Sequence, residues 1–188
     1  MSAGVVVAFF LKGESASFRR HFLYAILTGG ISLIAAGIAD FTLTNSGHVD
    51  LLEPFRNANY ALLTNADIAG DKRIVGLMPE ASAYGSACVI SLAILAFLRP
   101  CFENRWLRDL IAPLVIGGLV AMAAGSLSST AYGGLGIFAV ICAANWLRRA
   151  LNSEAPARGG LKWEAIFAAA ALVLLLFFSP FSRLHQIS

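Results

Sequence analysis

The side chains best suited to chemistry gather in one polar stretch, Thr44–Glu80, of an otherwise apolar chain. In DKRIVGLMPEASAYG (Asp71–Gly85), Lys72 and Arg73 precede a glycine, a proline and Glu80 at the mouth of a long apolar run. An arginine fork held beside helix N-termini suits a diphosphate, which takes planar bidentate donors and positive potential. The plainer role for Arg73 is an interfacial anchor. Pro79 disfavours helix at Met78 and suits the first turn of the apolar helix beyond it, where Glu80 is favoured by the helix dipole as a cap. His48 offers an imidazole that accepts a proton, or is simply solvated. Asp40, about a turn from the outer end of an apolar run, reads as a carboxylate snorkelling to the interface, the alternative being a polar cavity. No HExxH, GxSxG, Walker or CxxC pattern occurs, so the signatures of metalloprotease, hydrolase, nucleotide and thiol chemistry are absent. Cys88, Cys101 and Cys142 support neither a zinc site nor a disulfide framework.

The elements that must position these groups are set by hydropathy. Of 188 residues, 58% are hydrophobic and only 13% charged, with a mean hydropathy of +0.73; a soluble domain carries roughly 25% charge. That excludes a water-soluble enzyme, a disordered chain and a disulfide-knotted secreted domain. The net charge of +3 is spread in short clusters between apolar runs and gives no nucleic-acid footprint. The expected fold is an all-α polytopic transmembrane bundle forming a single membrane domain over residues 1–188. A helix crosses the hydrocarbon core in about 17–25 apolar residues. Five stretches qualify: Phe22–Leu43, Ala81–Leu98, Leu110–Leu127, Ala131–Leu147 and Ala165–Phe181. The run Val5–Leu11 is too short to cross alone and is expected to be the tail of a span that begins upstream of Met1.

Lysine and arginine set the orientation, because cytoplasmic loops are enriched in them. Ten of the fourteen fall in the loops 12–21, 99–109 and 148–164, and the other four are Arg56, Lys72, Arg73 and Arg183. The segment Thr44–Glu80 is therefore expected outside the membrane. Trp106, Trp146 and Trp163 fall at the opposite interface, as an aromatic belt requires. Within the outer segment, Val49, Leu52, Phe55, Tyr60 and Leu63 recur at near-helical spacing, predicting an amphipathic surface helix interrupted near Pro54. Small residues such as Gly29-Gly30, Gly117-Gly118 and Gly133-Gly134 read as packing faces, within one bundle or in a homo-oligomer. Ser126–Thr130 is short enough only for a hairpin whose hydroxyls cap the next helix.

The order RNANYALL (Arg56–Leu63), RIVGLMPEASAYG (Arg73–Gly85) and SLSSTAYGGLG (Ser126–Gly136) resembles that of bacterial O-antigen polymerases and ligases, including exopolysaccharide polymerases. In that family an Arg-x-x-Gly-x-x-x-Glu-like motif opens a span on the outer side, and a Ser/Thr-rich turn opens a later one. The resemblance covers about Arg56–Leu147. It implies glycosyl transfer at the periplasmic face of the inner membrane, from a glycan on undecaprenyl diphosphate to a sugar hydroxyl, with no cofactor and no catalytic metal. By position it implies Arg73 as the diphosphate contact, with Arg56 and Lys72 as further cations, Glu80 as an orienting or acid–base group and His48 as a proton acceptor. This chain departs from the family in two ways. It has Thr130-Ala131-Tyr132 where an arginine often stands, and it has fewer spans without a second large outer loop, so a partial copy is one expectation. Two other expectations are a non-catalytic membrane subunit of a polysaccharide assembly or export complex, and a small transporter.

Overall fold

The computed structural model describes residues 16–48, 51–52, 54, 67–68 and 71–151. Four helices succeed one another: α1 (Ala16–Asn45), α2 (Ala81–Leu98), α3 (Ala112–Gly125, opened by a π-helical turn, Leu107–Ile111) and α4 (Ser129–Leu151). Between α1 and α2, β1 (Asp67–Ile68) pairs antiparallel with β2 (Asp71–Lys72), Asp67 opposite Lys72. The N-terminal run Val5–Leu11, the expected span Ala165–Phe181, Arg56 and most of the expected amphipathic helix lie outside the described residues.

Local chemistry explains where each helix stops. Gly47, at φ +78°, ends α1: the Gly47 N–H donates to the Thr44 carbonyl (3.2 Å) and the His48 N–H to that of Leu43 (2.9 Å). This is the paired return of a Schellman cap, which needs a residue tolerant of the left-handed region. A 3₁₀ turn, Arg99–Cys101, succeeds α2 where Pro100 cannot continue it. Asn104 starts the next helix, its Oδ1 accepting the Trp106 N–H at 2.9 Å. The π turn has its own cause. Pro113 would collide with the carbonyl four residues back, and the helix widens there, the Ala112 N–H reaching the Leu107 carbonyl.

The helices alternate in direction, with α2 and α3 as a central pair flanked by α1 and α4. Tyr84, Cys88, Leu92 and Leu95 of α2 meet Ile116, Leu119 and Ala123 of α3 and Ala131 and Leu135 of α4 in a closed core. Leu23 and Leu27 add the near face of α1. The outside is as apolar as the inside: Ile31, Ile38, Phe41, Leu114, Ile137 and Val140 are all exposed. Continuous apolar surface of this kind is unsuited to water and suited to lipid. Among the described residues three helices are long and apolar enough to cross a membrane, Ser17–Asn45, Ala81–Cys101 and Leu107–Gly125, and a shorter apolar stretch, Ser129–Asn145, lies in α4. The chain is thus compatible with a membrane protein; three of the five expected spans fall on these helices and a fourth, Ala131–Leu147, on the shorter apolar stretch of α4.

Candidate functional site

The end of the bundle where α1 and α3 stop, and α2 and α4 start, is closed by a short strap, residues 73–76. Backbone and side chain tie it to three helices. The Ile74 N–H donates to the Gly125 carbonyl at the end of α3 (3.0 Å), and Arg73 Nε donates to the Ser126 carbonyl (3.3 Å). On the other side, the Val75 and Gly76 N–H groups both donate to Asp40 Oδ2 of α1, at 2.6 and 2.8 Å. Thr44 Oγ1 donates to the second carboxylate oxygen at 3.3 Å. Below the strap lies the Tyr84 ring of α2, fully buried, its hydroxyl donating to the Leu33 carbonyl of α1 at 2.7 Å. The strap then turns, the Met78 N–H donating to the Val75 carbonyl, and delivers Glu80 to the start of α2.

Gly76 is required here twice over. Its φ is +60°, in the left-handed region, and a Cβ there would stand 2.6 Å from the Tyr84 ring. The adjacent Val75 and Gly76 amides point at one oxygen, the concave arrangement of successive N–H groups that holds anions. Asp40 fills it with its own carboxylate. That overturns the expectation of a snorkelling Asp40: the residue is 3% exposed, and backbone amides compensate its burial, as a buried carboxylate requires.

Of the residues singled out from sequence, Arg73 and Glu80 lie on this closure. Arg73 is half-buried, and its Nε bond sets the guanidinium on the α3–α4 turn, three residues ahead of the start of α4, where the Ser128 carbonyl accepts the Tyr132 N–H at 3.0 Å. The Ser126 carbonyl belongs to the C-cap of α3, where the helix dipole favours a cation; α4 opens three residues further on, and the first N–H groups of a helix carry positive potential. Glu80 precedes α2 in extended conformation but makes no side-chain cap; its Oε2 accepts the Ser82 hydroxyl at 2.9 Å. The capping expected of it is therefore limited to its place in the helix field. His48 is exposed on the α1 cap, and among the described residues no hydrogen bond joins its ring to Arg73 or Glu80. Lys72 enters through its backbone in β2, and Arg56 lies outside the described residues. Three contributors were not anticipated: the Asp40 anchor, Tyr84 under the strap, and the Ser126 carbonyl. Only Asp40 carried a signal, as a carboxylate in an apolar run.

The opposite end is built differently. Arg99 Nε donates to the Arg108 carbonyl at 2.7 Å, and Asp109 Oδ1 takes Arg108 Nε at 3.1 Å and an Arg99 terminal nitrogen at 3.7 Å. Trp106 is 71% exposed beside them, and the Tyr24 ring of α1 meets Phe102 edge-on. Among the described residues no three His, Cys, Asp or Glu side chains gather at either end as a metal site would need. Set against protein-family models, curated proteins and solved structures, the chain matches none of them.

Proposed function

We propose that this chain is a multi-pass protein of a bacterial inner membrane, of polysaccharide polymerase or ligase type, that engages an undecaprenyl-diphosphate-linked glycan at the periplasmic face through Arg73. One observation carries the reading: a half-buried arginine is fixed, through Nε on the Ser126 carbonyl, on the turn that leads from α3 into α4. A directional cation on the turn that opens a helix suits a diphosphate oxygen.

In the transfer, the acceptor hydroxyl attacks the anomeric carbon, the bond from that carbon to the diphosphate oxygen breaks, and the hydroxyl proton passes to a base. Glu80 or His48 is that base, Lys72 and Arg56 add positive potential, and Arg73 stabilises the departing lipid diphosphate. The reaction draws on no nucleotide sugar, because the lipid diphosphate is already a competent leaving group. Replacing Arg73 with Ala should shorten or abolish carrier-linked glycan in membranes that hold normal amounts of protein. Unchanged chain length at unchanged protein level removes Arg73 from the mechanism.

A second reading has its own support. The Asp40 carboxylate is taken up by backbone amides, and Gly29, Gly117 and Gly133 face outward with open space above them. A non-catalytic subunit that packs on a partner helix in a polysaccharide assembly complex has these features. Pull-down in mild detergent should then recover one stoichiometric partner, and recovery of a lone, active protein counts against it.

A further inference from the structure

We infer that Asp40 is the positioning residue of the Arg73 site: held on α1, it fixes the strap that sets the guanidinium on the α3–α4 turn. The inference rests on the reading of Arg73 as a diphosphate contact. Asp40 itself is buried under the strap and acts through two backbone amides. Successive Cα atoms are about 3.8 Å apart, so anchoring Val75 confines the Cα of Arg73 to within about 7 Å of it.

The strap has two sets of ties on opposite sides. Toward α3 and α4 they are the Ile74 N–H on the Gly125 carbonyl and Arg73 Nε on the Ser126 carbonyl. Toward α1 they are the two amides on Asp40 Oδ2. Val75 is 1% exposed, so removing the carboxylate strands its N–H away from water. An unsatisfied buried donor is relieved by moving to solvent. The strap then lifts, and Arg73 leaves the Ser126 carbonyl with it. Asn in place of Asp keeps a carbonyl oxygen that accepts from both amides, so D40N holds the strap while losing the charge.

The test uses the full chain in detergent with Cys101 replaced by Ser and farnesyl diphosphate as the probe. Binding should weaken about fivefold or more in D40A, an unmet donor being worth at least that factor. It should stay within about threefold of the parent in D40N. R73A should bind equally weakly with and without D40A, because a residue acting through Arg73 adds nothing once Arg73 is gone. Separately, Cys placed at 74 and 125 should form a disulfide readily in the parent and in D40N, and poorly in D40A. Parent-level binding and cross-linking in D40A overturn the inference, as do D40A and R73A losses that multiply. If the parent chain does not bind the probe, the diphosphate reading fails, and the cross-link alone decides whether Asp40 holds the strap: a drop in D40A sustains it and an unchanged yield ends it. Should D40A not purify folded, D40E takes its place. Its extra methylene must displace the strap and lower the cross-link, and an unchanged yield again overturns the inference.

Discussion

Asp40 and Asp109 are both carboxylates within a turn or two of a helix terminus, yet the fold treats them in opposite ways. Asp40 is 3% exposed and takes two amides from a segment 35 and 36 residues away. The Asp109 side chain is 53% exposed and meets an arginine on its own turn and another at the end of the preceding helix. The Asp40 contacts pin to α1 a loop whose neighbouring residues, Arg73 and Ile74, are tied to the end of α3. The Asp109 contacts link residues that the short α2–α3 connection already holds near one another. A buried acceptor shared by backbone donors is hard to replace, because every lost bond leaves an unsatisfied group. An exposed ion pair trades solvent for a partner of nearly equal worth.

This contrast is open to direct attack, and the heaviest blow falls on Asp40. D40A strands two buried amides, which at about 1–3 kcal/mol each should lower stability in detergent by about 2–6 kcal/mol, measured by denaturant titration of helicity. G76A comes next: a left-handed alanine costs about 1–2 kcal/mol, and the Tyr84 ring must also shift, so the unfolding midpoint should fall clearly but by less than in D40A. Y84F removes one hydrogen bond to the Leu33 carbonyl and keeps the ring under the strap, for a loss of about 1 kcal/mol. Smallest is D109N, whose midpoint should match the parent and stay insensitive to added salt. A D109N protein as unstable as D40A would erase the distinction between the two ends.

Helix positions were legible beforehand because the property that sets them is local. Apolar length placed Ala81–Leu98 to the residue, and it placed Leu110–Leu127 and Ala131–Leu147 within a turn or so of the helices found. The start of α1, at Ala16, lies further out than expected, because Arg19 and Arg20 sit on an exposed polar turn that hydropathy assigns to a loop. The hairpin expected over Ser126–Thr130 is there but shorter, α4 starting at Ser129, and the Ser126 hydroxyl donates back to the Ala123 carbonyl of α3. The π turn was not legible, since Pro113 reads only as a first-turn proline until its helix is seen to begin earlier. At the candidate site the placing of Arg73 and Glu80 near helix starts could be read from Pro79 and from where the apolar run resumes. The role of Asp40 could not, because its partners are backbone amides, which have no side-chain signature.

Composition and the spacing of apolar runs were enough to determine that lipid suits this surface better than water, and that helices alternate with short polar connections. Each follows from hydration and backbone hydrogen bonding counted along a single segment. Only the tertiary structure decided that residues 73–76 lie across the bundle end, that a carboxylate on α1 receives them, and that Arg73 meets the α3–α4 turn. Those contacts join residues 35 to 53 positions apart, and they exist only once α1, α2 and α3 have packed and the Tyr84 ring has set the floor on which the strap rests.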